Sequence, residues 1–251
     1  MKFIPPSQTI QTAIANIINS AFDISLNPSE ILIDVCYPKY DAHYTSAISL
    51  AIANRLGISA LKIAEEIVKT CSQNLEISLQ WQVRASGKGW LNICLSEQFI
   101  YENLFALNDW QPDAIDISIN PSINSPDPIC QYAYARCCAL IRLAHLLPTI
   151  DLELSRTSRA LDFIEPAEIS LLMQQFKIAS LLENSKSLEK PNLNRYKLSR
   201  SLAEIFLQFY DRCRIFGVSH EIAYRRLLLI RITQKLLTAI APPEINYAIY
   251  L

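Results

Sequence analysis

Between Asn108 and Pro128 the chain reads NDWQPDAIDISINPSINSPDP, and no other stretch restricts the possible folds so strongly. Its four prolines cannot donate a backbone hydrogen bond. Together with the surrounding Asn, Asp and Ser, they interrupt both the helical and the alternating hydrophobic period. A break of this composition reads as a connection between separately folding parts. The expected organisation is a first domain over 1–108, a linker over 109–127 and a second domain over 128–251. With 251 residues, 51% of them hydrophobic, two cores of ordinary size can be buried.

Beyond the break, apolar residues recur at helical spacing over 129–147, 165–182, 194–216 and 219–240, and Gly217 between the last two is the one glycine. That pattern predicts an all-α helical bundle. The first part is mixed. Ser7 is placed to cap a helix carrying Ile10, Ala13, Ile14, Ile17 and Ile18, and the β-branched run 30–37 reads as a strand. Helices are predicted over 43–57, stopped by Gly57, and from Ser59 to Cys71. Two alternating runs around Gly87-Lys88-Gly89 predict a hairpin over 76–95, and 96–107 predicts an amphipathic helix. The first domain is therefore expected to be α+β, with a small antiparallel sheet and helices.

Several kinds of chemistry find no support in the residues. The four glycines, Gly57, Gly87, Gly89 and Gly217, form no phosphate-cradling motif. Seven cysteines without C-x-x-C spacing predict buried, reduced thiols rather than a disulfide framework or a zinc knuckle. Cys36 with His43, and Cys213 with His220, fit neither a metal-ligand nor a nucleophile spacing. The carboxylate pairs Glu65–Glu66, Asp113–Asp116 and Asp151–Glu153 have no histidine neighbour and read as surface charges or caps. The first residues lack a leader-like apolar run, and no window stays uncharged long enough to cross a bilayer. A cytoplasmic protein with no membrane partner and no cofactor is expected. Net charge is −1, but between Arg195 and Lys235 nine Lys or Arg face three acids, a surplus of six. Such a run is usually a solvated helix face and can also meet a polyanion.

The segment DPICQYAYARCCALIRLAH, 127–145, holds a Gln-Tyr-Ala-Tyr-Ala-Arg core (Gln131–Arg136), and 202–217 and 225–244 supply two further helical matches in order. This part resembles the DALR anticodon-binding domain of arginyl-tRNA synthetases, with Tyr134 where the family pattern has His. The first part, with Tyr44 and Ser46 opening one segment and Gly87, Gly89, Trp90 and Asn92 carrying a Gly-x-Gly-aromatic-x-Asn segment, is similar to the additional N-terminal domain of the same family. The family's nucleotide-binding catalytic domain would stand between them, where this chain has only the proline-rich connection. No H-x-G-H motif occurs, and the K-M-S-K-S-like KLSRS, 197–201, falls inside a helical pattern.

The resemblance implies a D-loop contact at Trp90 and Asn92, where a base stacks on the indole and meets an amide. It also implies anticodon contacts at Tyr132, Arg136, Tyr210 and Arg214, with each aromatic four residues from its cation, and phosphate contacts among Arg225, Arg226, Arg231 and Lys235. Set against this, Trp90 can plug the sheet core and Asn92 end a hairpin. The tyrosines can be core residues from which the arginines reach outward. The implied function is a non-catalytic arginyl-tRNA synthetase paralogue binding tRNA, of arginine type. Its alternatives are a protein-interaction scaffold, with a partner on the surface left by the missing catalytic domain, or a tRNA-binding part acting in trans with a separate arginine–tRNA ligase. Synthetases of this family usually end soon after a motif like IAPPE, whereas this chain continues with INYAIYL, 245–251.

Overall fold

The structure is a computed structural model that describes residues 3–36, 41–112, 127–146, 165–185, 194–241 and 245–250. They form two compact units, Ile4–Asn103, and Leu104–Leu251 together with Met1–Phe3. The central linker residues 113–126, the Asp113–Asp116 and Asp151–Glu153 pairs and Tyr37 lie outside the described residues.

The first unit is α+β. Helix α1 (Pro6–Phe22) buries Ile10, Ile14, Ile17 and Ile18, the apolar stripe legible in the sequence. Pro5 rather than Ser7 stands at its N-cap; Ser7 lies inside the first turn and is buried. Strands β1 (Asp34–Val35), β2 (Tyr44–Ser46), β3 (Trp81–Ser86) and β4 (Trp90–Leu95) form one sheet in the order β1-β2-β4-β3, every pair antiparallel. Between β2 and β3 run α2 (Ile48–Leu56), α3 (Ala60–Gln73) and α4 (Leu75–Gln80). Gly57 ends α2 at φ 64°, and the side chains of Ser59 and Asn74 cap α3 and α4, each cap contributing about 1 kcal/mol.

Three local expectations fail. Of the strand expected over 30–37, only Asp34 and Val35 pair, because Asn27 and Glu30 cap each other in a 3-10 turn over Pro28–Glu30. The helix expected from 43 starts only at Ile48. Tyr44 and Ser46 instead alternate into the core as a strand on β4, and Ser46 Oγ donates to the Leu32 carbonyl at 2.7 Å. Residues 76–80, expected to open the hairpin, are helical because Asn74 Oδ1 accepts the Ile77 N–H at 3.1 Å. The hairpin itself forms, and its turn presses on the start of α3: a Cβ at Gly89 (φ 116°) would lie 2.7 Å from the Ala60 carbonyl carbon.

Pairing register sorts the sheet residues by side. Tyr44, Ser46, Trp81, Val83, Leu91, Ile93 and Leu95 are buried on one face. The period of two leaves Gln82, Arg84, Ser86, Trp90, Asn92, Cys94 and Thr45 on the other. Helix α5 (Glu97–Asp109) begins in this unit, and its residues from Leu104 onward belong to the second.

The second unit is all-α. Its long helices are α6 (Pro128–His145), α7 (Pro166–Ser185), α8 (Arg195–Arg212) and α9 (His220–Ile240). Asp127, Asn194 and Ser219 cap α6, α8 and α9 through side-chain oxygens. Helices α8 and α9 pack on each other and on both α6 and α7. As a result α9 is buried on nearly all sides, at Tyr224, Arg225, Arg226, Leu227, Leu228, Leu229 and Ile230 without a break. The helix expected to run to 216 stops at Arg212, with Cys213 extended behind it. Trp110, assigned from sequence to the connection, is buried here. Its ring centroid is 5.7 Å from that of Phe3, and its indole N–H donates to Glu183 Oε1 at 2.7 Å.

Candidate nucleic-acid interface

The open face of the sheet carries the first group of candidates. On β4, Trp90 and Asn92 point to the same side, away from the buried Leu91 and Ile93, and Trp90 is 44% exposed. Asn92 sits between Arg84 of β3 and Thr45 of β2, and Thr45 Oγ1 donates to its Oδ1 at 3.3 Å. Trp90 therefore does not plug the core; Trp81, on the opposite face, does. The face is polar apart from the indole and carries one loose ion pair, Arg84 to Asp41 at 3.9 Å. An aromatic plane and a side-chain amide two residues apart on one strand are suited to stacking on an unpaired base and bonding its edge.

At the edge of this face His43 accepts the Leu95 N–H at its Nδ1, 3.0 Å away. Burial lowers its pKa below the ordinary imidazole value, opposed by the charge of Asp41. Cys94 Sγ contacts the Asp41 carbonyl at 3.1 Å, and burial raises its pKa, so it is no activated nucleophile. All seven cysteines are free, and six of them are buried. Among the described residues no three His, Cys, Asp or Glu side chains converge on a possible metal position.

The second group lies between α6 and α8. Arg136 Nη2 donates to Tyr132 Oη at 2.9 Å, and its guanidinium carbon lies 5.3 Å from the Tyr132 ring centre and 5.2 Å from that of Tyr210. The Tyr132 bond, outweighing burial, holds the Arg136 pKa above its ordinary value. Tyr132, Arg136 and Tyr210 are all half-buried. The structure thus joins the three into one cation–aromatic cluster whose long side chains are fixed in advance. It does not join Tyr210 to Arg214, as their spacing suggested. Arg214 stands past the end of α8, is exposed, and offers its carbonyl to Arg226.

Two of the four expected phosphate contacts are internal, which corrects that expectation for Arg225 and Arg226. Arg225 and Arg226 are buried with the fully buried carboxylate of Glu168: Arg225 Nη2 reaches both its oxygens at 3.1 Å, and Arg226 Nε reaches Oε1 at 2.7 Å. Charges on the fully packed stretch 223–230 of α9 must be paired inside. Lys235 is half-buried, with its pKa lowered by burial and by Arg231, and its ammonium donates to the carbonyls of Asn108 and Trp110. Arg195 is likewise buried and donates to the Ala241 carbonyl at 2.8 Å. Arg200, inside the KLSRS stretch that the structure places on α8, binds the α6 cap Asp127 at 3.1 Å and Glu204 at 2.9 Å. Of the nine cations in the run, Lys197, Arg212, Arg214 and Arg231 are exposed, beside the equally exposed Glu204, Asp211 and Glu221. Four against three is no basic patch.

Sequence reasoning missed a third set, Gln131, Tyr134 and Arg142 along α6, because each is engaged by residues 245–250, whose position no local pattern announces.

Residues 8–95 match the family model of the arginyl tRNA synthetase N terminal domain, and residues 130–241 match that of the DALR anticodon binding domain. This chain joins two domains of the arginyl-tRNA synthetase family. Trp90 and Asn92 fall in the first match and the Tyr132–Arg136–Tyr210 cluster in the second, and only residues 96–129 separate the two. Curated relatives of the synthetase-family chain include the arginine–tRNA ligases of Acetivibrio thermocellus, 26% identical over 127 residues, and of Moorella thermoacetica, 29% identical over 121, each match covering 48% of this chain and 21% of the ligase. The ligase of Dehalococcoides mccartyi is 31% identical over 117 residues, 46% of this chain and 20% of the ligase. The matched part thus spans about a fifth of the length of these relatives. Among solved structures, the arginyl-tRNA synthetase of Plasmodium falciparum aligns with 87% of this chain and 46% of its own, at 16% identity and a TM-score of 0.37. No described helix is long and apolar enough to cross a membrane.

Proposed function

We propose that this chain binds tRNA, of arginine type, through its two synthetase-family domains, and that it does not aminoacylate by itself. The observation that carries the reading is Trp90. A large aromatic surface is costly to leave in water, and on this sheet it stands beside Asn92 on an otherwise polar face, as a stacking platform for a splayed base requires. The Tyr132–Arg136–Tyr210 cluster supports a second contact, to the anticodon arm. The 195–235 run offers four exposed cations rather than nine, so stacking supplies much of the affinity. The dependence on salt is then moderate, with a log–log slope of about two to four.

The test is titration of an arginine-accepting tRNA transcript at low and at physiological salt, with a transcript of another specificity beside it. Saturable binding that prefers the first is expected, and no complex even at low salt would refute the proposal. Arginine-dependent pyrophosphate exchange by the chain alone is expected to be absent. Adding a separate arginine–tRNA ligase distinguishes a chain that assists in trans from one that acts alone.

A second reading, a protein-docking module, is favoured by Leu75 and Leu79, four residues apart on α4 and 73% and 66% exposed. It predicts a stable assembly in light scattering or affinity capture that Leu75→Asp with Leu79→Asp abolishes.

A further inference from the structure

Residues 245–250 return along α6 and satisfy one stripe of that helix. Gln131 forms a two-bond pair with the backbone of Ala248: its amide nitrogen donates to the Ala248 carbonyl at 2.8 Å and its oxygen accepts the Ala248 N–H at 2.9 Å. One turn along, the Tyr134 ring stacks on Tyr247, centroids 5.1 Å apart and planes 27° from parallel. Two turns further, Arg142 Nη1 donates to the Ile249 carbonyl at 3.2 Å, and its guanidinium lies 4.3 Å from the Tyr250 ring centre. Positions 131, 134, 138 and 142 share one side of a helix, and the stripe is next to the one that carries Tyr132 and Arg136.

The chemistry of the occupant is informative. A glutamine amide that engages a donor and an acceptor together, a tyrosine face covered by a second aromatic, and an arginine held by an oxygen and a ring are the three contacts by which a single-stranded nucleic acid is gripped: base edge, base face and phosphate or base. Each is filled in cis. The segment also lies outside the domain match, which ends at residue 241. Its hold is slight. Asn246, Ala248, Ile249 and Tyr250 are exposed, and only Ile245 and Tyr247 are half-buried. Segments with few buried contacts open at little cost in free energy.

We propose that residues 245–250 act as an intramolecular strap that competes with RNA for the Gln131–Tyr134–Arg142 stripe of α6. The proposal rests on the tRNA-binding reading and adds its regulation: the free chain is partly self-occluded, and whatever lifts the segment raises the affinity for an anticodon arm. Because strap and ligand exclude each other, freeing the stripe tightens binding by the reciprocal of the fraction of time it was uncovered.

The experiment compares the full chain, a version lacking residues 245–251, and Tyr250→Ala, a change at an exposed ring that leaves the half-buried Tyr247 in place. Each is titrated with an arginine tRNA transcript and with its isolated anticodon stem-loop, and folding is checked by circular dichroism and thermal melting. The expected result is that the shortened chain binds the stem-loop about three- to tenfold more tightly and Tyr250→Ala about twofold more tightly. A synthetic peptide of residues 245–251 should then displace the stem-loop from the shortened chain. Equal or weaker binding by folded Tyr250→Ala and by the shortened chain overturns the strap while leaving tRNA binding intact. If no version binds either RNA, the tRNA reading falls and the strap with it. If shortening unfolds the chain, the Tyr250→Ala result decides alone.

Discussion

The sheet face of the first unit and the bundle of the second contain the same kinds of residue and use them in opposite ways. On β4 the strand period sends Trp90 and Asn92 outward and Leu91 and Ile93 inward, so an aromatic and an amide are left facing water. On α9, which is packed against α6, α7 and α8, residues 223–230 are buried without a break while Arg231 and Thr238 reach the surface, and Arg225, Arg226 and Lys235 satisfy their charges on Glu168 and on backbone carbonyls. The lesson is that a basic sequence run predicts an anion-binding surface only on an element with a free side. An alternating strand at a sheet surface always has one; the stretch 223–230 of α9 does not.

That contrast can be broken most sharply at Glu168. Glu168→Ala removes the buried carboxylate that both guanidinium groups share and should cost about 3–5 kcal/mol in urea denaturation of the bundle. A loss under about 1 kcal/mol would mean that the arginines reach water, and the internal reading of the run would be wrong. Next in size, Trp90→Ala should weaken tRNA binding by about 1–3 kcal/mol, since an exposed stacking platform is lost. Stability should stay within about 0.5 kcal/mol, as is usual for an exposed position. On the helical side, Arg231→Ala removes an exposed cation, so affinity should fall slightly and the salt slope by about one, whereas a variant at Arg225 should act on stability first.

The smallest effect concerns His43. Burial lowers its pKa in the folded state, so both states hold it neutral above about pH 6.5 and stability there is complete. As pH falls below that value the unfolded chain takes up the proton first, and stability declines toward the folded pKa. His43→Asn, whose amide oxygen can still accept the Leu95 N–H, should flatten the fall in melting temperature of the first unit between pH 7 and pH 5. An unchanged slope would show that His43 is not the titrating group.

Much of the fold could be read in advance where one signal acted alone. The isoleucine stripe of α1, the Gly87–Gly89 hairpin and the four bundle helices each follow from periodicity and turn chemistry. Two failures came from local caps that periodicity does not show, Asn27 with Glu30 and Asn74 with Ile77, and one came where a local preference met a longer-range contact. Residues 43–47 have helix-compatible composition, yet Tyr44 and Ser46 gain more as strand residues facing the core beside Leu91 and Ile93. The site was legible to a similar depth. Outward display of Trp90 and Asn92 follows from strand alternation, and the Tyr132–Arg136 pairing follows from helical spacing. The other half of the cluster was not legible, because Tyr210 meets Arg136 of another helix rather than Arg214 of its own segment. Nor could the hold of residues 245–250 on α6 be foreseen, since it joins positions more than a hundred apart in sequence.

The most direct measurement is the dissociation constant of an arginine tRNA transcript for the unaltered chain and for Trp90→Ala, taken side by side at low salt with melting curves for both. A saturable complex that weakens about fivefold or more on losing the indole, with the melting temperature unmoved, is the expected result. No complex with the unaltered chain, or equal affinity in the two proteins, would contradict the assignment of the sheet face to RNA.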